Sequence, residues 1–366
     1  MPARRSGRHG RLVPVVRVAG VVIGLLSGVA LAACGGAGSG GGGEASAPRV
    51  HVEPEVTFEL PPASEGCTAA TPLPGGGTRV PIEVSTVAGQ VAELVNVCIA
   101  GQGPFPFVLD SGAGQSTIDD HLARRLHLPS AGQPTTFSGV NCTGTASPVS
   151  VGQWSLEGVD LAPQALTSAT LPQIGGKGEP VGLLGSDVLA RFGAVRIDFA
   201  AGDLVLPGPQ GQPLPNDASY TGPTGPPPAP ALTQGGGTTV PATVSPLPGD
   251  VSLSVRVGFG GGPRRSFVVD TGSSQSVVSA AVARAESLPR TDLAQRQATV
   301  CSVITVPLVH SGPWSVPGQP LYPQLVGATS FGAISLEGTQ GLLGSDQLKR
   351  YGWVVFDYSG GRLFLG

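Results

Sequence analysis

Phe107-Val108-Leu109-Asp110-Ser111-Gly112-Ala113-Gly114 and, 160 positions later, Phe267-Val268-Val269-Asp270-Thr271-Gly272-Ser273-Ser274 decide how this chain is read. Each is an apolar run that ends in Asp, then a small hydroxyl residue, then Gly. A short apolar run bounded by turn residues reads as a buried strand, so the acid is delivered to the edge of a core. Gly beside it lets the backbone turn sharply and approach a partner closely. One such stretch is a strand and a turn. Two of them imply two carboxylates meant to meet.

Working outward, the repeat extends in both directions. Thr78-Arg79-Val80-Pro81 lines up with Thr238-Thr239-Val240-Pro241, and Val95 and Val97 with Val255 and Val257, at the same offset. After each Asp stretch, Ile118 to Leu126 and Val277 to Leu288 carry apolar residues at helical spacing. Gly152, Trp154 and Ser155 recur as Gly312, Trp314 and Ser315. Gly182-Leu183-Leu184-Gly185-Ser186-Asp187 then recurs letter for letter as Gly341-Leu342-Leu343-Gly344-Ser345-Asp346. Each unit closes on a predicted hairpin, turning at Ala201-Gly202 in the first and Gly360-Gly361 in the second. The expected organisation is a mainly β tandem, residues 77–208 and 238–366, each unit with a short helix, related by a pseudo-two-fold axis as subunits of a symmetric dimer are. Residues 209–237, rich in Pro and Gly, read as the linker between the units.

Composition narrows the class. The 57 Gly and 36 Pro of 366 residues exclude a helical bundle. A net charge of −3 without a basic patch in the body of the chain argues against nucleic acid as a partner. Residues 1–33 read as a targeting segment: Arg4, Arg5, Arg8 and Arg11 precede an apolar stretch, Val18 to Ala33. Leu31-Ala32-Ala33-Cys34 resembles the lipobox of bacterial lipoproteins, which implies lipidation at Cys34. Residues 34–76 follow as a flexible tether and lead-in. No later run approaches the roughly 18 apolar residues of a membrane span. The expectation is a chain anchored by lipid at the outer face of a bacterial plasma membrane, monomeric with an internal pseudo-dimer.

Brought together on an axis, Asp110 and Asp270 cannot both ionise easily, so they share a proton. The ionised oxygen then serves as a base toward water while the protonated one polarises a carbonyl. Asp-Ser/Thr-Gly after an apolar strand, with Leu-Leu-Gly later in the same unit, resembles the retropepsin-like aspartic proteases across both units. The resemblance implies that Asp110 and Asp270 are the catalytic pair of an endopeptidase acting on extended peptides. It implies that Ser111 and Thr271 cross-bond beneath them, and that Gly112 and Gly272 bring backbone close to the carboxylates. Leu183, Leu184, Gly185 and Leu342, Leu343, Gly344 would pack against the Asp loops. Asp187 and Asp346 read as helix caps at the Gly-Ser-Asp stretch. Trp154 and Trp314 read as core, and His121, His127 and His310 as surface or structural residues.

With Cys34 set aside, Cys67, Cys98, Cys142 and Cys301 remain, an even number that points to two disulfides with three pairings open. No CxxC pair occurs and the five His are scattered, so neither a metal nor another cofactor is expected. In the resembled family the stretch holding Cys142 and Cys301 forms the flap over the cleft. That implies a Cys142–Cys301 bond between flap tips, leaving Cys67–Cys98, with Gly139 and Gly144 suiting the turn of the first hairpin. A serine hydrolase would want Gly-x-Ser-x-Gly, which neither unit contains. The alternative reading is a non-catalytic duplicated β-module that binds extended peptides or cell-envelope material, since a fold does not fix function.

Overall fold

The computed structural model describes residues 20–21, 67, 71–74, 76–87, 90–172, 180–211, 228–247, 250–332 and 338–366. The expected leader lies outside these residues except for Gly20–Val21, which pairs in parallel with Gln297 and Ala298. Cys34 and most of the tether and linker also lie outside them. Among the described residues no helix is long and apolar enough to cross a membrane.

The fold is mainly β, and its two halves repeat one strand order. In the first, Gln102–Leu109 lies between Gln90–Ile99, antiparallel, and Gly182–Leu184, parallel. Thr117–Asp119 flanks Gly182–Leu184 on its other side and leads on through Gln164–Ala169 and Cys142–Val151 to Thr135–Gly139. In the second, Arg265–Asp270 lies between Asp250–Phe259 and Gly341–Gly344. Val277–Ser279, Leu325–Thr329, Val303–His310 and Arg290–Ala298 follow in the same relation.

The first helix of each half is shorter than the apolar spacing predicts. Thr117–Asp119 and Val277–Ser279 are strands, and helix runs only over Asp120–Arg125 and Ala280–Ala285. The β-branched residues at the start of each stretch are held in the sheet by pairing with the Gly-Leu-Leu strand. Asp119 and Ser279 then cap the helices, accepting from His121 N–H and Val282 N–H. Each half has a second short helix, Ser186–Leu189 and Ser345–Leu348.

A further sheet joins the halves. Its order is Thr71–Pro72, Thr78–Pro81, Asp203–Leu206, Ala194–Asp198, Trp353–Asp357, Arg362–Leu365 and the first residues of Thr238–Leu247. At its centre Ala194 pairs with Asp357, Arg196 with Val355 and Asp198 with Trp353. In this part of the chain repeat-related positions differ by 159, so Trp353 is the equivalent of Ala194 and Asp357 that of Asp198. The pairing therefore exchanges equivalent residues about Arg196–Val355. A pseudo-two-fold axis passes through that pair.

The apolar core is continuous across the join. Ile197, Val354, Phe356 and Leu363 are buried in one cluster with Phe107, Phe267, Leu184 and Leu343. The end of the predicted linker is packed as well: Leu232 is buried with Ala194, Val205, Trp353 and Val355. Arg196 fixes it there, donating to Leu232 O and Gln234 O at 3.2 and 2.9 Å. Its guanidinium also lies over the Trp353 ring, 4.3 Å from the centroid.

Candidate active site

The two Asp-bearing strands reach the axis from opposite halves. Leu183 and Leu184 pair with Val108 and Leu109, and Leu342, Leu343 and Gly344 with Val268, Val269 and Asp270. Gly182 and Gly341 open these strands because the Phe107 and Phe267 rings lie where a Cβ would stand. Side chains alternate along a strand, so Val108 shares a face with Asp110, and Val268 with Asp270.

Four hydrogen bonds lock the loops to each other. Ser111 N–H donates to Thr271 Oγ1 at 3.0 Å, and Thr271 N–H to Ser111 Oγ at 3.1 Å. Ser111 Oγ donates to Val269 O at 2.8 Å and Thr271 Oγ1 to Leu109 O at 2.6 Å. Each hydroxyl thus uses its proton on one backbone carbonyl and a lone pair on one backbone N–H of the other half. A side chain at Gly112 would overlap the Asp270 carboxyl, and one at Gly272 the Asp110 carboxyl. Each glycine therefore lets its backbone lie against the acid of the opposite half.

Below this lies a second tier that the sequence reading missed or misread. Ser186 Oγ donates to Ser111 O at 2.8 Å, and Ser345 Oγ to Thr271 O at 3.0 Å. Asp187 and Asp346 are not the N-cap residues: Gly185 and Gly344 stand there with no side-chain cap bond, and Asp346 accepts one first-turn N–H, that of Gln347 at 2.8 Å. Both acids reach across to the turn after the Asp loop. Asp187 Oδ1 accepts from Ser116 N–H and Oγ at 2.9 and 2.6 Å. Asp346 accepts the same two groups of Ser276 at 2.9 and 2.7 Å. The repeated Ser116 and Ser276 were the available signal. The two tiers then diverge. Ser186 Oγ meets Tyr358 Oη at 2.7 Å, whereas Ser345 Oγ lies 3.1 Å from Oε2 of buried Glu93, and Glu93 pairs with Lys349.

Asp110 and Asp270 have no solvent exposure. Asp110 Oδ1 accepts from Gly112 and Ala113 N–H at 3.0 and 2.9 Å, and Asp270 Oδ1 from Ser273 N–H at 3.0 Å. The other oxygen of each, Oδ2, is buried with no hydrogen-bond partner among the described residues. Each carboxyl lies against the glycine of the opposite loop, and the two acids interact directly enough that neither titrates alone. Burial pushes Asp110 up to about 7 against the weaker pull of its backbone N–H donors. Burial, then the charge of Asp110, raises Asp270 well above the carboxylate range. The titration belongs to the pair.

A roof covers the pair. Thr135–Gly139 and the start of Cys142–Val151 form a hairpin that turns at Val140 and Asn141, where Asn141 has φ 55°. Gly139 and Gly144 flank the turn rather than make it, because Val300 and the Phe137 ring stand where their side chains would be. Arg290–Ala298 and Val303–His310 form the matching hairpin. The tips are joined by Cys142–Cys301, with Cα atoms 6.1 Å apart, and Cys67–Cys98 is the other disulfide, at 5.9 Å.

The remaining residues singled out from sequence lie away from the pair. Trp154 and Trp314 are buried, and each indole donates to a carbonyl at 2.8 Å, Ala162 O and Tyr322 O. His121, His127 and His310 are exposed. Ligand atoms of Asp119, Asp120 and His121 lie within 4.8 Å of one another, but Asp119 is the helix cap and Asp120 pairs with Arg124 at 2.6 Å.

The family model described as aspartyl protease matches residues 95–188, which hold the first Asp loop and the first Gly-Leu-Leu-Gly strand. No curated protein matches the chain. Among solved structures, the aspartic proteinase from Irpex lacteus is 13% identical, with 80% of this chain and 97% of that chain covered and a TM-score of 0.44.

Two measurements test the site. Ser111→Ala leaves Thr271 N–H and Val269 O buried without their partners, at about 1–3 kcal/mol for each group stranded. Thr271→Ser keeps every bond and should cost less than about 1.5 kcal/mol, as small core deletions do. Urea denaturation of both variants checks the contrast. The second concerns pH. Asp110 is raised from 3.8 to about 7, so between those values the folded chain binds more protons than the unfolded one. The stability it contributes is full below 3.8 and is lost as pH rises through about 7. Thermal melts of the parent should therefore fall over that window, and Asp110→Asn should lessen the fall, leaving the part that buried Asp270 contributes.

Proposed function

We propose that the chain is an aspartic endopeptidase with Asp110 and Asp270 as its catalytic pair. The observation that carries this is the pair itself. Two fully buried carboxyls are brought together from opposite halves, and among the described residues neither Oδ2 has a hydrogen-bond partner. A structural ion pair would fill those positions with N–H or O–H groups.

The chemistry follows from that arrangement once the roof admits a peptide. The ionised Oδ2 takes a proton from a water held between the acids. The oxygen of that water bonds to the peptide carbonyl carbon while the protonated carboxyl donates to the carbonyl oxygen. The resulting tetrahedral species collapses when the amide nitrogen receives a proton from the pair and the C–N bond breaks. The four cross-bonds hold both acids still, so little reorganisation accompanies the transfer. The substrate lies extended, held by its main chain with side chains alternating into pockets.

Asp110→Asn and Asp270→Asn should each abolish cleavage of a peptide library while thermal melts show a folded chain, because the acids act as a unit. Near-full activity in either variant sinks the two-carboxylate mechanism. The reading also places the enzyme outside the plasma membrane on a lipid anchor at Cys34, supported by the lipobox-like Leu31-Ala32-Ala33-Cys34. Cys34→Ala should move the protein out of the membrane fraction, and unchanged fractionation removes the anchor from the proposal.

A further inference from the structure

Val140 and Val300 stand at equivalent places in the two hairpin tips, 160 positions apart. Each is buried in the other half. Val140, at 0% exposure, belongs to one apolar cluster with Val268, Val277, Phe331 and Leu342. Val300, at 1%, belongs to a cluster with Leu94, Val108, Phe137 and Leu183. Val108 and Val268 lie two residues before the acids and on the same strand face. Leu183 and Leu342 are their paired neighbours. The two valines thus fill apolar recesses on either side of the Asp pair. Gly139 admits this closeness, since a Cβ there would stand 2.6 Å from Val300 Cγ1. The Cys142–Cys301 bond ties the two tips to each other.

We propose that the linked tips are a self-inhibitory clasp, in which Val140 and Val300 occupy the two recesses as substrate side chains would, and which opens when the Cys142–Cys301 bond is cut. What the recesses take rests on the endopeptidase reading; the clasp itself does not. A peptide backbone running between the acids would place its flanking side chains where the valines now lie. The substrate class is then a peptide with branched aliphatic residues on both sides of the cleaved bond. The tips exclude that peptide while they are in place, and a bond between them opposes their separation. Both cysteines are only partly buried, so a small dithiol reaches them. Exchange with it oxidises the dithiol to its disulfide and leaves Cys142 and Cys301 as two thiols, each carrying one proton from the reductant.

The test compares the oxidised full chain with Cys142→Ser/Cys301→Ser, which leaves Cys67–Cys98 intact. Hydrogen exchange is read at residues 135–146 and 293–305, and kcat/KM on a peptide library. The variant should exchange faster at both tips and cleave at least about tenfold faster, because a site closed most of the time loses apparent activity in proportion. Cleavage should fall between Val, Ile or Leu residues. Dithiol treatment of the parent should reproduce both changes, which covers a variant that folds poorly. Equal exchange and equal cleavage in the oxidised and opened forms overturn the clasp. Faster exchange with no cleavage in any form supports the clasp and overturns the endopeptidase reading. Adding Asp270→Asn to the opened variant should remove cleavage and leave the exchange unchanged.

Discussion

The exchange of hydroxyl and backbone bonds between Ser111 and Thr271 is the constraint on which the rest of the structure depends. Two buried loops, each ending in an acid, have to meet without leaving backbone groups unpaired. Each hydroxyl solves this for the opposite half, accepting one N–H and donating to one carbonyl. Neither loop can satisfy its groups alone, so the meeting of the halves and the position of the acids are one event. The glycines that follow are then set by contact, since each lies against the other half's carboxyl.

The join below reinforces this. The antiparallel register about Arg196–Val355 exchanges equivalent residues of the two halves, as the reciprocal bonds between Ser111 and Thr271 do at the Asp loops. Ser186 and Ser345 carry the hydrogen bonding from those loops down to the helices after the Gly-Leu-Leu-Gly strands. The network is a layered one of buried hydroxyls, carbonyls and carboxylates. Its parts support each other because the interior is poor in competing donors.

The symmetry is incomplete where electrostatics enters. On one side Tyr358 Oη meets Ser186. On the other, Glu93 takes that place and draws in Lys349. Burial raises Glu93 while the Lys349 charge opposes the rise. The equivalents of Glu93 and Lys349 are Leu253 and Ala190, so the first half's strand and the second half's helix carry this pair alone. The two acids of the pair thus sit over different foundations, with Tyr358 on one side and the Glu93–Lys349 pair on the other.

The mainly β fold was legible in the chain because the duplication is close to the letter around the Asp loops and the Gly-Leu-Leu-Gly strands, and alternating apolar residues around Gly declare strands locally. Helix length was not. Val277-Val278 and Ile118 open the stretches with helical spacing, yet the sheet holds them as strands through partners distant in sequence. Positions 110 and 270 were visible as acids ending apolar strands, but their burial and the unpartnered Oδ2 atoms belong to the assembled halves. Asp187 and Asp346 show the limit plainly. Their local context is that of a helix start, while their hydrogen bonds run to Ser116 and Ser276, about 70 residues away along the chain. The sequence by itself determined the repeat, the strands and the acids at their ends, because these depend on neighbours within a few residues. Only the tertiary structure decided which groups meet across the axis and that Val140 and Val300 are buried in each other's halves, because those contacts exist only after two distant segments have packed.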